Sequence, residues 1–217
     1  MRKARLFLFS ATLLVTASGI AGADTIYATV GPNGSVLLPT AYAIGGSLGL
    51  QQGDFFVPQM NARVGSLQGV FGWTYGLNSL EVQLLSDIGG RPGAVLDTFL
   101  FRNLPPHSDS VTLRPLQSAN STFMPELMAG ATYWLIAIAA PGSLLDWYPS
   151  TYELANGRHF IRQTLGVPGE DFEGGPKSAF RLNTEHVNDP PPVPEPGTLS
   201  LLAIGALVAR RACQRIR

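Results

Sequence analysis

Between Asp24 and Val187 no stretch of twelve or more residues carries a clean helical apolar period. Short apolar runs recur instead, punctuated by Gly, Pro, Asn and Asp, and that pattern predicts an all-β body. The fold class expected is all-β, an antiparallel β-sandwich of jelly-roll-like character. Candidate strands are 25–30, 35–38, 67–74, 80–85, 95–101, 111–113, 132–139, 159–164 and 179–182. In the run 132–139, Tyr133, Leu135 and Ala137 alternate with Trp134, Ile136 and Ile138, so both faces are apolar. Such a strand belongs in the centre of a covered sheet.

Composition supports a packed body. Hydrophobic residues make up 45% of the 217, and 24 Gly with 17 Pro fall short of a low-complexity chain. Charged residues are 14%, below the roughly 25% of ordinary soluble domains. They are also unevenly placed. Arg2, Lys3, Arg5, Arg210, Arg211, Arg215 and Arg217 crowd the two ends, and the stretch from Asp24 to Asp189 holds eight basic against fourteen acidic residues, a net charge of −6. An acidic body repels phosphate backbones, so no nucleic-acid partner is expected. The single cysteine, Cys213, lies in the C-terminal tip, so disulfides cannot hold the body together. Its stability has to come from burial, and a domain of about 165 residues hides roughly 70% of its unfolded surface.

The ends read as addresses. Arg2, Lys3 and Arg5 precede the apolar run 6–15, and Ala21-Gly22-Ala23 supplies small residues at the spacing a signal peptidase requires. Residues 1–23 are therefore expected to be a signal peptide cut after Ala23, leaving a body over 24–187. Residues 188–197, Asn-Asp-Pro-Pro-Pro-Val-Pro-Glu-Pro-Gly, lack a backbone donor at five positions and should form an extended, semi-rigid linker. Residues 198–217 are an apolar segment, 198–209, with a basic tail beginning at Arg210-Arg211. As a helix those twelve residues span about 18 Å against a hydrocarbon core of ~30 Å, a marginal crossing with the arginines left in the cytoplasm.

The order Val193-Pro194-Glu195-Pro196-Gly197, apolar segment, Arg210-Arg211 resembles the PEP-CTERM protein-sorting signal. The resemblance implies an exported protein of a Gram-negative bacterium, released by signal peptidase, held transiently in the inner membrane, and processed near Pro194, Glu195 and Pro196 by an exosortase. The product would reach the cell surface or the exopolysaccharide around it. The body is similar, at the level of fold, to the choice-of-anchor extracellular β-sandwiches that accompany such tails. The features that carry this are Val82–Asp87 followed by Gly90–Leu96, then Leu127–Leu135 and Trp147. That likeness implies no activity.

Candidate chemistry in the body is sparse. Gly45-Gly46-Ser47-Leu48-Gly49 has the form of a nucleophile elbow, which needs a strand before it and a helix after it. Leu50-Gln51-Gln52-Gly53-Asp54-Phe55 has no helical pattern, so a flexible loop is expected. Ser86–Gly93 should be a tight hairpin loop in which Asp87 bonds its own backbone; one carboxylate does not make a calcium site. His107, His159 and His186 show no metal spacing, and His107 and His186 are expected to be solvated. Glu170, Asp171 and Glu173 read as a solvated acidic loop, with calcium as the alternative. Trp147 and Tyr148 with Tyr152, and Trp73 with Tyr75, either fill the core or form a platform for sugar rings. Asn120-Ser121-Thr122 reads as a surface loop. The resulting expectation is an exported protein with no catalysis and no cofactor. The alternatives are a carbohydrate-binding module in the exopolysaccharide layer and a secreted hydrolase.

Overall fold

The computed structural model describes residues 23–30, 41–108, 114–150, 157–164 and 169–185. Candidate strands 35–38 and 111–113 lie outside them, as do residues 1–22 and 186–217. In chain order the strands are β1 (Thr25–Ala28), β2 (Tyr42–Gly45), β3 (Leu50–Phe56), β4 (Ala62–Gly69), β5 (Phe71–Tyr75), β6 (Ser79–Asp87) and β7 (Pro92–Arg102). They continue as β8 (Gln117–Asn120), β9 (Glu126–Leu127), β10 (Tyr133–Ala139), β11 (Leu144–Trp147), β12 (Gly157–Gln163), β13 (Gly169–Gly175) and β14 (Phe180–Thr184). All pairings among them are antiparallel.

The smaller sheet runs β1-β14-β4-β8, with β9 added beside β4. The larger runs β5-β11-β2-β3-β10-β6-β7, and the β12–β13 pair joins it along β3. The two sheets enclose one apolar cluster, to which Ile26, Leu67 and Leu182 contribute from the smaller sheet and Val82, Phe99 and Leu135 from the larger. Alternation decides which side chains go in. On β6, Leu80, Val82 and Leu84 are buried, while Glu81 and Gln83 between them are only half-buried.

Aromatic rings run through the interior. Phe71 packs on Phe101 at 4.7 Å and on Trp147 at 5.4 Å, Trp147 on Phe180 at 6.2 Å, and Phe180 on Phe56 at 6.0 Å. Tilted and edge-on pairs of this kind each add about 0.5–1.5 kcal/mol beyond their burial. As its sequence requires, β10 sits between β3 and β6. Tyr133, Leu135 and Ala137 enter the main core. Trp134 and Ile136 are buried on the opposite face with Leu85 and Phe160.

The run expected as one strand over 67–74 is two. The chain leaves the smaller sheet at Gly69 and enters the larger at Phe71, with buried Val70 between them. Val70 N–H donates to the Ala179 carbonyl at 3.2 Å, and its carbonyl accepts from Tyr148 N–H at 3.0 Å. Corners of a sandwich are made by strands that switch sheets in this way. Further segments also differ from expectation, among them Gln117–Asn120 and Leu144–Trp147, which form β8 and β11 where no strand was expected. Residues 42–56, which hold no regular alternation, form β2 and β3, and the acidic segment 170–173 is part of strand β13 rather than a loop.

Candidate functional site

The Gly45–Gly49 segment is not a flexible loop. It is a single 3-10 turn over 46–48 linking two antiparallel strands, with Gly45, Gly46 and Gly49 all at positive φ. The turn is tight because Gly45 lies against the Ser143 carbonyl and the Ala139 side chain, where a Cβ has no room. A strand follows it rather than a helix, so Ser47 lacks the setting of a nucleophile elbow.

The hairpin between β6 and β7 is built as its sequence implies. Ile88 N–H donates to the Arg91 carbonyl at 2.8 Å, Gly90 N–H to Asp87 Oδ2 at 3.0 Å, and Gly89 and Gly90 take positive φ. Asp87 Oδ1 also accepts from Trp134 Nε1–H at 2.7 Å. Its carboxylate is therefore committed to the fold.

Trp147 and Tyr148 are fully enclosed, and Trp147 Nε1–H donates to the Ala179 carbonyl at 3.1 Å. They fill the core and offer no ring face to a sugar. Trp73 packs partly against the core, Tyr75 is exposed, and Tyr152 lies outside the described residues. In the sequon, Ser121 is buried and its hydroxyl donates to Asp97, which also accepts from Thr98 N–H at 2.8 Å. That serine is a fastener between β7 and the start of the 121–125 loop.

A titratable cluster that sequence spacing did not announce surrounds His107. This residue is only partly solvated: its Nδ1 lies 2.7 Å from Asp146 Oδ2, with 32% of the His107 side chain and 9% of the Asp146 side chain exposed. Thr74 Oγ1 donates to the same carboxylate oxygen at 3.1 Å, and the Tyr148 hydroxyl stands 3.4 Å from Nδ1. The Arg114 guanidinium lies 4.2 Å above the Tyr148 ring and donates to the carbonyls of Pro106 and Ser108. Backbone bonds from His107 N–H to the Trp73 carbonyl, 2.7 Å, and from Trp73 N–H to the Pro105 carbonyl, 2.9 Å, complete the attachment.

A carboxylate that orients an imidazole is half of an acid–base dyad. Here Arg114 donates to the loop's own carbonyls, Thr74 to the Asp146 carboxylate and His107 N–H to β5, so the arrangement works as a clamp holding residues 105–108 onto β5 and β11. The one signal for it in the sequence is Asp146 itself, a charge set inside the apolar strand Leu144-Leu145-Asp146-Trp147. Its partner is 39 residues away.

His159 sits in β12 directly opposite Asp54 of β3, a fully buried carboxylate that accepts from Ser178 N–H at 2.9 Å. Among the described residues no three His, Cys, Asp or Glu side chains gather as a metal-holding group. Glu170, Asp171 and Glu173 lie on β13, which among the described residues pairs only with β12 and is a sheet edge. Acidic residues on an edge strand discourage edge-to-edge association. His186 and the tail residues Pro194, Glu195, Pro196, Arg210 and Arg211 lie outside the described residues, as does Ala21. Ala23 is described and exposed, one residue before Asp24 joins the sheet.

These features define a two-part chain, an antiparallel β-sandwich followed by a C-terminal sorting signal. The family model described as the PEP-CTERM protein-sorting motif matches residues 192–215. That motif marks the chain for exosortase-dependent sorting to the cell surface. No curated protein matches the chain.

Proposed function

We propose that the chain is a non-catalytic surface protein of a Gram-negative bacterium, exported by its N-terminal signal, held transiently in the inner membrane by residues 198–209, and cut by an exosortase near Pro194–Gly197. The observation that carries this reading is the sorting motif over 192–215, which begins only seven residues beyond Glu185, the last described residue of the sandwich. The polar clusters of the body support the non-catalytic part, because Asp87, Asp97 and Asp146 each direct their carboxylate at a loop of the same fold. A role as a carbohydrate-binding module has less support, since Trp147 and Tyr148 are enclosed.

The test is intact-mass spectrometry of the protein from membrane and extracellular fractions of its host. The expected product lacks residues 1–23 and ends near Pro194–Gly197, while an Arg210→Ala, Arg211→Ala variant stays uncut in the membrane fraction. A wild-type C-terminus retained intact in the membrane would make the tail a permanent anchor and overturn the reading.

A further inference from the structure

Both appendages leave the sandwich at the same pole. β1 and β14 are antiparallel neighbours with Thr25 opposite Asn183. Thr184 N–H donates to the Asp24 carbonyl at 2.8 Å, and Asp24 N–H donates to Thr184 Oγ1 at 2.9 Å. Glu185 is held in turn by Arg63, through its N–H to the Arg63 carbonyl at 3.0 Å and its carboxylate to the guanidinium at 3.3 Å. The chain therefore exits beside the start of β4. Twelve residues separate Glu185 from the apolar segment beginning at Thr198, a reach of at most about 45 Å fully extended.

Other loops end at this pole. Residues 57–61 join β3 to the start of β4. Gly130 N–H donates to the Pro58 carbonyl at 3.0 Å and Ala129 N–H to Asn61 Oδ1 at 2.7 Å, so the 128–131 turn is fastened there. Val64 N–H to the Pro125 carbonyl, 3.0 Å, brings the 121–125 loop to the same place. The β6–β7 hairpin tip arrives through the pairing of Ser86 with Tyr133 at the start of β10.

These loops display large apolar side chains to solvent: Phe123 is 73% exposed, Ile88 67%, Met128 50% and Met60 42%. Arg91 and Arg63 stand among them, together with Asp24, Glu126 and Glu185, so the pole has no cationic surplus. The opposite pole exposes Leu48, Tyr75 and Leu77, but neither the first nor the last strand of the described residues ends toward the appendages there, since Thr25 and Asn183 pair at the first pole.

We propose that the pole carrying Phe123, Ile88, Met128 and Met60 rests on the lipid surface while the tail is in the membrane, its apolar tips entering the headgroup boundary. This rests on the membrane step of the proposed function. The occupant is lipid because the tail tethers this pole to a bilayer by a short spacer, and because single aromatic and aliphatic tips on loops suit the interface, where they bury area without needing a complementary pocket. With no excess of positive charge, the contact is apolar and insensitive to salt.

The test uses the full chain reconstituted in phosphatidylcholine–phosphatidylethanolamine vesicles. An environment-sensitive nitrobenzoxadiazole label is placed at position 123 (Phe123→Cys with Cys213→Ser), at position 77 (Leu77→Cys with Cys213→Ser), or on the chain's own Cys213. Lipids carrying a nitroxide near the headgroup are then added. With the Cys213 label quenched, the expected result is a loss of about half the emission at position 123, equal at low and high salt, with position 77 unchanged.

Quenching at Cys213 without quenching at position 123 overturns the lipid contact and leaves the membrane step intact. If Cys213 escapes quenching, the membrane step fails and the proposal falls with it. Protection of position 123 only when the sorting enzyme is reconstituted alongside would assign the pole to a protein contact and overturn the lipid reading.

Discussion

At the scale of single residues, the carboxylates of this body show how little a charge says about function until its partner is known. Asp87 accepts both from the backbone of its own turn and from the indole of Trp134, which is 2% exposed. Removing the carboxylate leaves a buried N–H without its acceptor, so Asp87→Ala should destabilise by about 2–3 kcal/mol. The check is the denaturant midpoint, which should fall at unchanged slope, and Asp87→Asn, which keeps an acceptor, should lose under about 1 kcal/mol. Asp87 was legible because a turn motif acts over a few residues. The clamp of Asp146 on His107 was not, because no local rule relates residues that only a folded sheet brings together.

At the scale of elements, the informative failure is the run 67–74. Its sequence, Leu67-Gln68-Gly69-Val70-Phe71-Gly72-Trp73-Thr74, offers an unbroken extended stretch, and nothing local marks a change of sheet. What marks it in space is Gly69, where an added Cβ would collide with the ring of Phe71 as the chain turns the corner. Phe71 is fully buried between Phe101 and Trp147 and has no room to retreat. Gly69→Ala should therefore destabilise by about 1–3 kcal/mol, read as a lower melting temperature with the native circular dichroism kept below it. β3 and β13 escaped for the opposite reason. Leu50-Gln51-Gln52-Gly53-Asp54 and Gly169-Glu170-Asp171-Phe172-Glu173 have weak strand propensity, and it is β10 and β12 alongside that make them strands.

At the scale of the whole molecule, the last strand closes the first. β14 lies between β1 and β4, and among the described residues β1 has no other partner in its sheet. A chain stopped after Glu185 should melt cooperatively, whereas one stopped after Ala179 should lose its cooperative transition, because Ile26 and Leu67 then lose Phe180 and Leu182 from the same core. A thermal melt followed by circular dichroism separates the two outcomes.

The sequence alone determined the class of fold, the central place of β10, the hairpin at Asp87 and the sorting address. Each depends on neighbours along the chain: an alternation of period two, a turn, or a linear motif read by another protein. The tertiary structure decided the switch at Val70, the burial of Trp147 and Tyr148, the clamp at His107 and the exit of both appendages from one pole. These depend on which distant strands become neighbours, and that is fixed by closing two sheets over a shared core rather than by any local preference.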